Sequence, residues 1–279
     1  MAVAAEVPRR PPQGADALQV GLIAALLVLA AVAWTLTDET MAGMDGGPGG
    51  PLGSLSFYVG AWVLMMAAMM FPSIAPMVRT YALIQRSRNR HRGLGEPTAA
   101  IVVFLAGYLI TWTIFGLIAY ALFDLARGLD IQAFSWREGR PYLAGGVILA
   151  AALYQLTPLK DACLGHCRSP LASLSERWRD GLGGALRLGL EHGGWCVGCC
   201  WALMAALFAL GVMSVGWMIL IGALIAVEKL LPWRAPANRG IAVLLVVLGL
   251  SVALAPERVP GLTVPGQVGQ SGMTMQGSP

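Results

Sequence analysis

The chain has 279 residues, 57% of them hydrophobic and 12% charged, with a formal net charge of +4. Soluble domains carry roughly 25% charged residues, so a water-soluble globular class is excluded and a chain built for the bilayer is expected. The small net charge, with no basic stripe interleaved with aromatics, leaves no case for nucleic acid as a partner.

Residues 1–16 hold Pro8, Pro11 and Pro12 beside Arg9 and Arg10, and read as a disordered N-terminal segment. No A-x-A cleavage site follows, and the first apolar run, 18–36, is of full spanning length. It is therefore expected to be a retained span and not a signal peptide. A Gly/Pro-rich loop with Met41 and Met44 leads to a second span at 57–77, followed by a loop with Arg86, Arg88, Arg90 and Arg92. Further spans are expected at 99–123, 142–159, 195–213, 215–231 and 239–255. Before the fifth span, 171–190 is amphipathic, carries Arg177, Arg179 and Arg187, and fits a helix lying in the membrane interface. The expected fold is all-α: a polytopic transmembrane helical bundle of about seven spans over residues 17–256, with a flexible polar tail, 257–279, that carries Met273 and Met275.

Most Lys and Arg fall on one side of that arrangement. The positive-inside rule then places the N-terminus in the cytoplasm and the C-terminus outside, with the chain crossing the cell inner membrane. Arg127, Arg137 and Arg140 fall on the outer side and are outnumbered.

All five cysteines lie in two short segments, each with a histidine: Cys163, His166 and Cys167, then His192, Cys196, Cys199 and Cys200. At about 100° per residue, the last four fall within a quarter turn of a helix. An odd number of cysteines argues against a full disulfide framework. Both clusters are expected near the cytoplasmic ends of spans four and five, where thiols stay reduced and the two clusters would meet. Thiolates with imidazole select Cu(I) or Zn(II). The competing expectations are buried cysteines with no ligand role and a structural zinc site.

The second span has its own sulfur. Met65 and Met69 share one helix face, and Met66, Met70 and Met77 another with Ser73. Pro72 and Pro76 each remove a backbone donor and are expected to disturb the helix. Thioethers bind Cu(I) and are poor zinc ligands, so Met65, Met66, Met69 and Met70 are candidate ligands, against the alternative of a packing face. Glu228 near the hydrocarbon needs a partner, with Lys160 or Lys229 available. Gly189, Gly193, Gly194 and Gly198 form overlapping small-xxx-small patterns, which predicts close packing of span five against a neighbour.

Four stretches carry a resemblance. "WVLMMAAMMFPSIAPM" (62–77), "LTPLKDACLGHCRSP" (156–170), "GLEHGGWCVGCCWALM" (189–204) and "VEKLLP" (227–232), in this order, resemble the DUF2182 family of predicted metal-binding integral membrane proteins over roughly residues 55–235. The resemblance implies a membrane metal-binding protein with a copper-chaperone-like association. There is no Walker motif, Gly-rich phosphate loop or H-E-x-x-H, and an enzyme is not expected. The leading expectation is Cu(I) handling, as chaperone-like delivery or transport, with zinc as the other candidate metal. The partners expected are the membrane, a copper-dependent enzyme or metallochaperone client, and further copies of the chain. The alternative is a membrane assembly factor or structural subunit with a structural zinc site.

Overall fold

The computed structural model describes residues 13–41, 53–91, 98–128, 140–212 and 214–259. Most of both terminal segments, with Met44, Met273 and Met275, lies outside the described residues. Among the described residues there are nine α-helices and no strand. They are α1 (Gln13–Met41), α2 (Leu55–His91), α3 (Thr98–Gly128), α4 (Arg140–Tyr154), α5 (Pro158–Arg168), α6 (Pro170–Arg177), α7 (Gly181–Leu210), α8 (Val215–Leu230) and α9 (Arg234–Leu254). A 3₁₀ turn at Pro256–Arg258 closes the described chain.

Five of these helices, α1, α2, α3, α7 and α9, are long and apolar enough to cross a membrane. A sixth crossing results if α4 and α5, bent by 67° at their junction, count as one. The all-helical polytopic class is as expected. The difference from about seven spans lies in α8, whose 16 residues extend only about 24 Å against a hydrocarbon core of about 30 Å, and, where α4 is not joined with α5, in the 15-residue α4. The amphipathic stretch expected at 171–190 is divided. Its first part forms the eight-residue α6, and the rest, from Gly181, is the first third of α7.

The bend between α4 and α5 is written in "YQLTP". Pro158 occupies the first turn of α5, and Thr157 caps it: its Oγ1 accepts from the Lys160 N–H at 3.3 Å and donates to the Tyr154 carbonyl at 2.8 Å. The residue before a proline is biased out of helical geometry, and Thr157 is extended at ψ 145°, which separates α4 from α5. By contrast, α2 continues through both Pro72 and Pro76 without a break. Ser73 Oγ donates to the Met70 carbonyl at 2.9 Å, and Thr80 Oγ1 to the Pro76 carbonyl at 2.8 Å, so hydroxyls satisfy part of the backbone near the two prolines. The turn from α7 to α8 uses Gly211 at φ 111°, whose N–H returns to the Leu207 carbonyl.

Helix packing depends on close approach. α7 lies along α3, where a Cβ on Gly189 would run into the Phe104 carbonyl oxygen and one on Gly193 would come within 2.7 Å of Thr111 Cβ. Farther along, a Cβ on Gly198 would lie 2.8 Å from Cys163 Sγ of α5. Three of the four glycines in the small-xxx-small pattern thus face a neighbouring helix, while a Cβ on Gly194 would meet nothing within 4 Å. α2 runs along α1, α3 and α8. Tyr58 and Trp62 fasten it to α3 by donating to the carbonyls of Gly116 and Trp112, at 3.0 and 2.8 Å.

Candidate metal centre

α7 brings three thiols together. Cys196, Cys199 and Cys200 are buried, and their sulfurs lie within 4.8 Å of one another. Long side chains on a helix lean toward its N-terminus, and both later thiols do so onto one carbonyl. Cys199 Sγ donates to Cys196 O at 3.1 Å, and Cys200 Sγ donates to the same oxygen at 2.9 Å. The cluster sits halfway along α7, between a half that carries Arg187 and Glu191 and an apolar half that ends at Leu210.

α5 supplies the second wall. Cys167, half-buried, places its Sγ 3.7 Å from Cys199 Sγ, close to the separation of two sulfurs bound to one ion at about 2.3 Å each. Cys163 is buried four residues earlier, on the same side of α5, with its sulfur against Gly198. The structure therefore brings the two cysteine segments to one place, and all five thiols are free.

The two histidines are placed differently. His192, one turn before Cys196 and buried, packs its ring beside those of Phe104 and Tyr108, with centroids 6.1 Å from each. It is not among the groups that share the 4.8 Å cluster. His166 is half-buried and stacked on Trp195, with centroids 4.0 Å apart and planes within 5°. Its Nδ1 is 3.0 Å from the Ala162 carbonyl oxygen; donating there leaves Nε2 as the free lone pair, the usual tautomer of a metal-binding histidine.

Met65, Met66, Met69 and Met70 are all buried in the core, none more than 3% exposed. Met69 lies flat on Gly222 of α8, where a Cβ would be 3.4 Å from its Cγ. Toward α7, α2 presents the ring of Trp62, 5.7 Å from that of Phe208. Two further methionines, Met204 and Met218, are completely buried on α7 and α8. Met204 is one turn beyond Cys200, a spacing already legible in "CCWALM".

A polar layer joins α5 to α8 and α9. Lys160 Nζ donates to both oxygens of Glu228, at 2.7 and 2.8 Å, with both side chains 1% exposed. Gln155 Nε2 adds a bond to Glu228 Oε1 at 2.7 Å. Arg168 donates to the carbonyls of Glu228 and Leu231, so α5 is bound to the end of α8. Asn238 of α9 reaches Asp161 of α5 at 3.2 Å. Lys160, and not Lys229, is the partner of Glu228. Lys229 instead donates to Cys196 Sγ at 2.9 Å, and Tyr108 of α3 meets the same sulfur at 3.1 Å. The sequence offered both Lys160 and Lys229 to Glu228, of which Lys160 is the partner, and it gave no hint of Tyr108. The usable signal for Lys229 was helical geometry, since successive residues point about 100° apart and cannot both serve one partner.

Residues 59–252 match the family model described as PpoB2, copper chaperone. No curated protein and no solved structure matches the chain.

Proposed function

Since the chain belongs to the PpoB2 copper chaperone family, we propose that it takes up Cu(I) at the thiols of α5 and α7 and hands the ion on to a copper client. The carrying observation is the cluster of Cys196, Cys199 and Cys200 within 4.8 Å, with Cys167 3.7 Å from Cys199. Soft thiolates in a site largely shielded from water favour Cu(I), and Cu(I) accepts two or three such ligands. Binding exchanges S–H for S–metal bonds and releases protons; the two S–H bonds that now end on Cys196 O would be lost in that exchange. No bond of a substrate is made or broken, so the role is binding and transfer.

Cys167 and Cys163, on the shorter helix, form the approach to the buried trio. Among the two histidines, His166 has a lone pair free for a passing ion and His192 packs against aromatic rings. Met65, Met66, Met69 and Met70 of α2 would offer weaker thioether ligands to an ion leaving the trio, as would Met204, one turn beyond Cys200. The reading places the chain in the inner membrane with the N-terminus and the Arg86–Arg90 end of α2 in the cytoplasm, and it delivers to a copper enzyme or soluble chaperone, alone or as an oligomer.

A second reading rests on the Cys167–Cys199 approach itself. Four thiolates from α5 and α7 around a zinc ion would staple the two helices. Metal analysis of the protein purified in mild detergent, followed by Cu(I) titration against a soluble chelator, separates the two. Tight Cu(I) uptake by the cysteines supports delivery. One retained zinc and no Cu(I) uptake would replace it with the staple.

A further inference from the structure

α8 carries two charged neighbours that serve different walls. Glu228 faces Lys160 and Gln155 of the α4–α5 wall and is neutralised there. Lys229, about 100° around the helix, sends its ammonium to the sulfur of Cys196, a residue 1% exposed. Tyr108 completes that sulfur's surroundings from α3 at 3.1 Å. A half-buried lysine whose hydrogen bond ends on a cysteine and not on a carboxylate has no part in holding α5 to α8, since Lys160 and Arg168 already do so.

The charge of a cysteine-held ion gives that lysine a role. Two thiolates around Cu(I) leave one net negative charge, because two protons depart and one positive charge arrives. Three thiolates around a divalent ion also leave one negative charge. Little water reaches these buried sulfurs, and an uncompensated buried charge is costly. Lys229 brings one positive charge to the cluster in a charge-assisted bond, the stronger class of hydrogen bond. We propose that Lys229 is the counter-ion of the metal centre: it touches Cys196, does not bind the ion, and stabilises the loaded anionic state, with Tyr108 positioning the same sulfur. This rests on the metal site proposed above but not on the choice of metal, since two thiolates around Cu(I) leave one negative charge and four around Zn(II) leave two, and either anionic centre is stabilised by a cation.

The test compares wild type, Lys229→Met and Lys229→Arg, each as the full chain in mild detergent. Affinity is measured for Cu(I) in competition with a soluble chelator, and for Zn(II) in parallel. Lys229→Met should weaken binding by about ten- to a hundredfold, the scale of one hydrogen bond to a charged group. Lys229→Arg, which keeps the charge, should recover most of that loss. Equal affinity in Lys229→Met, or an arginine variant as weak as the methionine one, overturns the proposal. Should Lys229→Met fail to give a monodisperse helical protein, Lys229→Gln is read in its place with the same expectation. If both neutral variants fail to fold while Lys229→Arg folds, Lys229 belongs to the fold and the proposal is wrong. A wild type that binds Zn(II) and ignores Cu(I) sinks the copper reading and leaves this comparison to be made with Zn(II); one that binds neither sinks both.

Discussion

The two sulfur-rich regions differ in what surrounds the sulfur. Although Cys196, Cys199 and Cys200 belong to the same apolar core as the methionines, polar groups reach their sulfurs: Lys229 and Tyr108 meet that of Cys196, and Cys167 approaches that of Cys199. The α2 methionines are packed into the continuous apolar core, beside Trp62, Phe71, Ile74 and the face of α8. Both regions are equally buried, so burial does not distinguish a ligand from a packing residue here. What distinguishes them is the cost of their partners. A polar group in such an interior is costly unless it is satisfied, and the thiol region holds several. Fold stability alone would be served as well by apolar side chains there, whereas the methionine region is what a close-packed core requires in any case.

The sharpest way to break this contrast is at the thiols. Changing Cys199 and Cys200 together to Ser should abolish metal loading, read as metal per protein after purification, while helix content is retained. Serine keeps the donor to the Cys196 carbonyl, so a loss of metal would not be a loss of local structure. Full loading of the double variant would remove the α7 trio from the site.

The polar layer provides the next largest effect. Glu228→Gln leaves Lys160 buried without its carboxylate and should destabilise the protein by about 3–5 kcal/mol, the cost of stranding one member of a buried pair. Lys160→Met with Glu228→Met should restore much of that loss, because two apolar side chains remove both stranded charges. Thermal unfolding in detergent reads both variants. A double variant as unstable as the single one would show that the layer holds the bend between α4 and α5 through groups other than this pair.

The glycines of α7 test how the thiol-bearing face is held. Gly189→Ala would press a methyl into the Phe104 carbonyl of α3 and should cost about 1–3 kcal/mol. Gly194→Ala, where a Cβ meets nothing within 4 Å, should be neutral or stabilising by up to about 1 kcal/mol. The pair is a control within one helix: equal effects would mean that close packing on α3 does not fix where the cysteines point.

Much of this was legible in the sequence because it depends on spacing along one helix. Apolar length indicated the helical membrane class, three-and-four spacing put Cys196, Cys199 and Cys200 on one face, and the glycine pattern marked α7 as a closely packed helix, with Gly189 and Gly193 against α3 and Gly198 against α5. What was not legible depends on relations between helices. The partner of Glu228 was narrowed to two lysines; helix geometry disfavours its neighbour Lys229, but that Lys160 reaches it depends on how α5, bent by 67° from α4, meets α8. Tyr108 sits 88 residues from Cys196, and nothing local links them. The helix limits near the site were also hidden. "GLGGALRLGL" was legible as helix, but as part of an interfacial one separate from a span starting at 195, whereas α7 runs unbroken from Gly181 to Leu210, with Gly189 and Gly193 packed on α3.

The smallest effect on stability is expected in the methionines, and it decides whether they belong with the thiols. Met69→Leu with Met70→Leu conserves volume and should change stability by less than about 1.5 kcal/mol per site, even though both residues are buried. If α2 is only a packing face, copper loading and delivery to a client in cells should then be unchanged. If the thioethers form the exit, loading at the cysteines should persist while delivery falls, because an ion held by thiolates alone dissociates slowly and has lost its weaker ligands. Leucine fills nearly the same space and has no sulfur lone pair, so the difference between the two outcomes isolates ligand chemistry from packing. A variant that loses loading along with delivery would fit neither case and would place Met69 or Met70 within the thiol centre itself.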